Sequence, residues 1–233
     1  MKILSIICAR GGSKGIKNKN IKIFCGKPLI FWTIKQCLNS KFAKSVYLST
    51  DSKKISKLAK KYGANADFLR PKSLSGDSVP EINVWKHITK FYENKFNLKY
   101  DAVCSVSVTS PMRKSADIDN SILKFKKNKN LDLVVVVSKS KKNPYFNILE
   151  KKNKNELKIS KKYKKKIVKR QDAPITFDLT TVSFVIKRDF LMKTKDLKKS
   201  KMGYIVVPEE RSVDIDNIQD FKYAEYLYKD KIR

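Results

Sequence analysis

Histidine is all but missing from this chain, arginine is rare, and no apolar run approaches the roughly 18–20 residues of a membrane span. Each shortage excludes something. His87 is the single histidine, so a Ser-His-Asp or Cys-His mechanism would depend on it alone. The surrounding pattern predicts a helix in which it is a surface or half-buried side chain. The four cysteines, Cys8, Cys25, Cys37 and Cys104, lie far apart without metal-type spacing. They are expected as free thiols, with Cys8 and Cys104 acting as small apolar core residues, and no zinc site is expected. The first residues form a short apolar run followed by a polar loop, not the apolar stretch of a secretory signal. The expected compartment is the cytoplasm.

The formal net charge of +31 points first to nucleic acid or another anionic surface. Nearly all the excess is lysine, because only Arg10, Arg70, Arg113, Arg170, Arg188, Arg211 and Arg233 are arginines. Bidentate recognition of phosphates and bases favours arginine, and the lysines are spread over the whole chain as on a solvated surface. Nucleic acid is therefore not the expected partner, although the field favours anionic substrates. A hydrophobic fraction of 41% in 233 residues permits one α/β domain with a modest insertion.

Glycine is scarce too, yet three of the seven, Gly11, Gly12 and Gly15, stand together. Ile3, Leu4, Ile6 and Ile7 predict a buried strand that breaks into Arg10-Gly11-Gly12-Ser13-Lys14-Gly15. Glycines let the backbone bend and bring its N–H groups close to a ligand. Arg10, Lys14, Lys17 and Lys19 add positive charge, and the combination suits a polyphosphate. The loop matches neither the G-x-x-x-x-G-K-[ST] nor the G-x-G-x-x-G pattern. An ordinary strand-to-loop turn is the plain alternative.

Further along, Pro28 opens a predicted helix with Ile30, Ile34 and Leu38 on one face. Ser45 to Thr50 reads as a strand, and Asp51 or Ser52 can cap the next helix, which carries Ile55, Leu58, Ala59 and Tyr62. Gly63 stops that helix, and Ala66 to Leu69 reads as a third short strand. Arg70-Pro71 leads into a polar loop, Lys72 to Ser78, and a helix follows over Glu81 to Tyr92. Strands are expected at Asp101–Val106, Leu131–Val137, Val182–Ile186 and Tyr204–Val207, with helices over Ala116–Phe125 and around Ile218, Phe221, Ala224 and Leu227. Alternation at this pitch implies a mainly parallel sheet with helices on both faces. Ligands then bind beyond the carboxyl ends of the strands, onto which the loops at Arg10, Asp51, Arg70 and Thr109 would open.

The pattern breaks between about Ser138 and Ile175, which reads as an inserted β-hairpin arm packing on a partner subunit. The domains are accordingly 1–137 with 176–233 as the core and 138–175 as the arm. Lys161 to Lys166 with Tyr163 is the most nucleic-acid-like run, and a solvated hairpin tip accounts for it. In Val213-Asp214-Ile215-Asp216 the two carboxylates are two residues apart, so in an extended stretch both point the same way. Such a pair suits Mg²⁺ held together with substrate phosphates, with helix capping by Asp216 as the alternative.

Taken together, Ala9 to Gly15 with Lys19-Asn20, Ser49-Thr50-Asp51, Arg70-Pro71 with Leu74 and Asp77, Thr109 to Arg113, Arg170-Gln171-Asp172 and Val213 to Asp216 resemble the acylneuraminate cytidylyltransferases, also called CMP-sialic acid synthetases. The matches keep the family's order over nearly the whole chain. The resemblance implies a Rossmann-like (GT-A-like) three-layer nucleotidyltransferase fold, an arm exchanged in a homodimer, CTP as co-substrate and Mg²⁺. By position, Arg10, Gly11, Gly12, Ser13, Lys14, Lys19 and Asn20 would bind the triphosphate. Asp51, Arg70 and Asp77 would border the nucleotide, and Asp214 and Asp216 would bind metal. Catalysis would rest on Arg10, Lys19, Asp214 and Asp216. The sugar would meet Ser107, Thr109, Ser110, Arg170, Gln171 and Thr180. Where many relatives carry Gln-Pro this chain has Ser107-Val108, and a frequent Asn-Gly is Thr180-Thr181. Both departures lie on the sugar side, so N-acetylneuraminate stands beside legionaminic and pseudaminic acid as a candidate. The expected activity is CTP plus a nonulosonic acid giving a CMP-sugar and pyrophosphate, for surface glycan synthesis such as lipopolysaccharide or capsule. The rivals are a cytidylyltransferase for an eight-carbon keto-sugar acid and a nonenzymatic lysine-rich module that binds nucleic acid or acidic glycan.

Overall fold

A computed structural model describes residues 1–164 and 166–230. Among the described residues ten strands and six α-helices follow one another: β1 (Ile3–Cys8), β2 (Ile23–Phe24), β3 (Lys27–Pro28), α1 (Leu29–Leu38), β4 (Val46–Ser49), α2 (Lys53–Lys61), α3 (Glu81–Phe96), β5 (Ala102–Ser105), α4 (Ser115–Lys127), β6 (Leu133–Lys139), β7 (Leu149–Lys151), β8 (Leu157–Ile159), β9 (Phe177–Lys187), α5 (Arg188–Lys193), β10 (Met202–Val206) and α6 (Ile218–Asp230). The main sheet has the order β10-β6-β9-β5-β1-β4. β1 pairs parallel with β4 and β5, and β6 with β10, while β9 runs antiparallel to both β5 and β6. The sheet is therefore mainly parallel with one reversed strand. The reversal follows from the insertion: β6 leaves the sheet at Lys139 and β9 re-enters at the same end, opposite it, at Phe177.

Side chains that alternate along the strands build two cores. Ile7, Cys104 and Val134 face α1, α2, α4 and α6, whereas Leu4, Ile6, Val103, Leu133 and Val135 face α3 and α5. This is the three-layer arrangement expected from the alternation of elements. The one expected strand that does not form is Ala66–Leu69. Its flanks hold the β4 side of the sheet: Asn65 just before it bridges to Tyr47, and the Arg70 N–H just after it donates to the Thr50 carbonyl at 2.7 Å. Phe68 turns instead into a ring cluster with His87, Phe91 and Tyr92 of α3, and Asp67 pairs with Lys95 at 2.7 Å. Those contacts pull the segment away from β4.

The segment after β6 carries an antiparallel hairpin of β7 and β8, apart from the main sheet, with Leu149 opposite Ile159. Asn143 closes its base, donating from Nδ2 to the Pro174 carbonyl at 2.8 Å. The lysine run 161–166 lies here, and its Lys165 is outside the described residues. Among the described residues no helix is long and apolar enough to cross a membrane.

Phe24 fastens the C-terminal helix to the body. It is fully buried in edge contacts with Trp32, Phe221 and Tyr228. The strand pair that carries it turns through Cys25 and Gly26, both at positive φ, 45° and 80°, the geometry of a two-residue hairpin turn. Phe24→Ala should lower stability by about 3–5 kcal/mol, read as the shift in a urea unfolding curve.

Candidate active site

The glycine-rich loop leaves β1 at the carboxyl edge of the sheet. Ser52 caps α2, its Oγ accepting from the Ile55 N–H at 3.3 Å. Asp51 is thus left to accept the Gly11 N–H at 2.8 Å, which draws the loop onto the end of β4. Asn20, buried, donates from Nδ2 to the Arg10 carbonyl at 2.9 Å and closes the loop from its far side. At Gly15 there is no room for a side chain, since a Cβ would be driven into the Asp216 carbonyl oxygen. Gly12 has open space around it and Ser13 is half-buried.

Two cations of the loop share one carboxylate. Arg10 Nη1 lies 2.5 Å from Asp77 Oδ1, and Lys14 Nζ lies 2.7 Å from Asp77 Oδ2. Hydrogen bonds from Lys14 and then Arg10 hold the Asp77 carboxyl below its usual range. Behind the pair lies a cavity of about 280 Å³, lined among others by Cys8, Arg70, Leu74, Val79 and Glu81. Arg70 is buried and its Nε has no hydrogen-bond partner. Glu81 is accessible from the cleft yet surrounded by protein, and this loss of solvation pushes its carboxyl up. Asp214 adds to the rise, while the nearby Trp85 N–H and Arg70 guanidinium oppose it.

The acidic pair sits across the loop. The Ile215 N–H donates to the Thr109 carbonyl at 2.8 Å, and Lys19 Nζ donates to the Ile215 carbonyl at 2.6 Å and approaches Asp216 Oδ1 at 3.5 Å. Capping of α6 falls to Asn217, whose Oδ1 accepts from the N–H groups of Gln219 and Asp220. The Asp216 carboxylate is thereby left largely exposed, and Asp214 Oδ1 is buried without a hydrogen-bond partner. An orphaned, buried carboxylate oxygen beside an exposed second carboxylate fits a hard cation. Among the described residues no group of three or more His, Cys, Asp or Glu could hold a metal, so the rest of such an ion's coordination would come from water or a bound phosphate.

The residues expected to meet a sugar are more dispersed. The Ser107 carbonyl receives Arg113 and Thr33, and Ser110, fully buried, bonds Thr181 through their hydroxyls at 2.6 Å. Thr109 Oγ1 approaches Thr181 at 3.4 Å, and Thr180 donates to the Val136 carbonyl at 2.7 Å, at the bulge between β6 and β9. Thr180 and Asp214 line one groove of about 360 Å³. Arg170 and Gln171 line a neighbouring one of about 890 Å³ at the base of the arm, where Arg170 donates to the Lys141 carbonyl. Lys139, Lys141 and Glu209 border both.

Two residues of the site, Glu81 and Arg113, carry no site role in the sequence, although Arg113 belongs to the Thr109–Arg113 match. Glu81 looked like an ordinary helix opener, although its place just after the Arg70–Ser78 loop was a usable signal. Arg113 lies almost wholly buried beneath the Ser107–Met112 turn, donating to Thr33 at 3.1 Å, to Gln36 at 3.0 Å and to the Ser107 carbonyl. Burial lowers its pKa to about 10. Nothing in its spacing signals burial.

Structures of nucleotidyltransferases share this architecture. The chain superposes with a TM-score of 0.74 on a CMP:2-keto-3-deoxy-manno-octonic acid synthetase complexed with CTP, at 13% identity and covering 99% of this chain and 100% of that one. It superposes with a TM-score of 0.60 on the 4-diphosphocytidyl-2C-methyl-D-erythritol synthase of Anaerococcus prevotii, at 14% identity and 98% of both chains. At such identities the likeness establishes the fold. The sequence establishes the family: residues 4–232 match the family model described as Cytidylyltransferase, and the chain belongs to that family of nucleotidyltransferases. It is 35% identical to the CMP-N,N'-diacetyllegionaminic acid synthase of Campylobacter jejuni, over 97% of this chain and 94% of the relative. It is 33% identical to the pseudaminic acid cytidylyltransferase of the same species, over 98% and 97%. The post-translational flagellin modification protein B of Campylobacter coli is 35% identical, over 98% and 96%.

Cys8, on the wall of the Arg70 cavity, is disfavoured as a thiolate. Burial pushes its thiol far up, raises Cys37 to about 12, and lifts Cys104 and Cys25 as well. A raised pKa leaves the protonated form dominant near neutrality. At pH 8 the folded protein should give no fast reaction with Ellman's reagent, and all four thiols should react once it is denatured.

Proposed function

We propose that the protein couples CTP to a nonulosonic acid, releasing pyrophosphate and a CMP-sugar for surface glycan synthesis. The observation that carries this reading is the gathering of Arg10, Lys14, Lys19, Asp214 and Asp216 around one glycine loop at the carboxyl edge of the sheet, in a chain of the cytidylyltransferase family. Nonulosonic acids are favoured because relatives matching nearly end to end are named for legionaminic and pseudaminic acid.

The sugar's anomeric hydroxyl attacks the α-phosphorus in line. A C–O–P link forms, the bond to the β-phosphate oxygen breaks, and pyrophosphate and the hydroxyl proton are released. Such chemistry depends on positioning and charge neutralisation more than on covalent help. Arg10, Lys14 and Lys19 offset phosphate charge, the loop N–H groups of Gly12 and Ser13 are free to approach it closely, and Asp51 and Asn20 hold the loop in shape. Asp214 and Asp216 are the residues that would hold Mg²⁺. When bound, that ion supplies further neutralisation and orients the triphosphate. The grooves around Thr180, Lys139 and Arg170 offer the space for the sugar acid.

The arm is read as a dimer contact between two copies of the chain. Leu149, Leu157 and Ile159 on the hairpin, and Ile175, Leu179 and Val206 beside its base, are exposed apolar side chains that a second copy would cover. The compartment in this reading is the cytoplasm, where CTP is available.

Pyrophosphate release should require CTP rather than ATP, GTP or UTP, together with one acid from a panel of legionaminic, pseudaminic and N-acetylneuraminic acids. Release with no acid of the panel by folded protein would overturn the assignment. Asp216→Ala should cut that release at least about 100-fold with folding retained; unchanged activity would remove the metal role.

A further inference from the structure

The loop from Lys72 to Val79 is bounded by Pro71 and Pro80, and its hydrogen bonding is almost entirely its own. Leu74 N–H donates to the Pro71 carbonyl, Ser75 N–H to Lys72 and Val79 N–H to Gly76, while Ser75 Oγ returns to Pro71. The polar link from this strap to the body is Asp77, which spans Arg10 and Lys14 with one oxygen each. Leu74, Gly76, Asp77 and Val79 together form the outer wall of the Arg70 cavity.

That bidentate arrangement is chemically telling. A carboxylate presents two oxygens to a guanidinium and an ammonium in the way a phosphate does. The cations it occupies are the two that reach outward from the glycine loop. A phosphate with more charge and more oxygens competes for the same donors, and the contest is open because the pairs are accessible. The Lys14 side chain is 79% exposed and that of Asp77 46%, a setting in which ion pairs are weak.

We infer that Asp77 is a displaceable phosphate surrogate: it latches the 72–79 strap onto Arg10 and Lys14 in the empty protein, and the polyphosphate of the nucleotide takes its place and releases the strap. The inference rests on reading the glycine loop as the polyphosphate cradle. It gives Asp77 a role opposite in sign to that of a residue contributing to nucleotide affinity. Arg10 and Lys14 are held by Asp77, so a ligand meets donors already in position and must only exchange one anion for another. After reaction, rebinding of Asp77 helps expel pyrophosphate.

Inorganic pyrophosphate is the probe, because it touches the cradle without contributing a base or sugar that could order the strap. By calorimetry Asp77→Asn should bind it roughly three- to tenfold more tightly than the wild type. Amide hydrogen exchange supplies a readout that simple removal of a negative charge would not move. Pyrophosphate should speed exchange across residues 72–79 of the wild type, and Asp77→Asn should show that faster exchange without any ligand. Equal or weaker pyrophosphate binding by Asp77→Asn, or a strap whose exchange does not respond to pyrophosphate, overturns the latch and leaves the cradle standing. Failure of both proteins to bind pyrophosphate overturns the cradle and the latch together.

Discussion

Concentrated positive charge at one edge of a sheet has to be compensated, and the architecture around the glycine loop follows from how that is done. Arg10, Lys14 and Lys19 converge where β1 ends, and each is met from elsewhere in the chain: the first two by Asp77, the third by the Ile215 carbonyl and Asp216. These contacts join positions separated by as many as 197 residues. They bring the strap before α3 and the segment before α6 onto the same loop. The site is thus a meeting of three otherwise independent connections, held largely by ion pairs and hydrogen bonds to the loop's cations.

The rigid part of the site lies underneath. Arg113 reaches from the turn after β5 to Thr33 and Gln36 of α1 and to the Ser107 carbonyl, and Gln36 returns a bond to the Pro111 carbonyl at 2.6 Å. Burial of a guanidinium is costly unless its donors are met; both terminal nitrogens of Arg113 are bonded while its Nε has no partner, and the bonds that are made tie the turn to α1. Through Thr109 and Ile215 the turn sets where Asp214 and Asp216 stand.

The alternation of elements was legible because helical and strand periodicities are local properties, and so were the glycine loop after β1 and a cap ahead of α2. Ala66–Leu69 was misread because its composition is strand-like, while its outcome depended on Phe68 finding aromatic partners on α3. Asp51 and Ser52 were interchangeable as caps on paper; the choice of Ser52 is visible only once Gly11 is seen bonded to Asp51. The roles of Glu81 and Arg113 are hidden in the sequence for one reason. A charged residue signals its unusual solvation only when the surrounding chain is in place.

By itself, then, the sequence determined the family and the order of the layers, since both are carried by short-range pattern and composition. Tertiary structure decided the reversed direction of β9, the orphaning of Asp214 Oδ1, the inward use of the Ser110 and Thr180 hydroxyls, and the pairing of Asp77 with Arg10 and Lys14. Each of these depends on contacts between segments far apart in the chain. Burial, unmet hydrogen bonds and charge compensation are properties of the assembled environment, not of the residue.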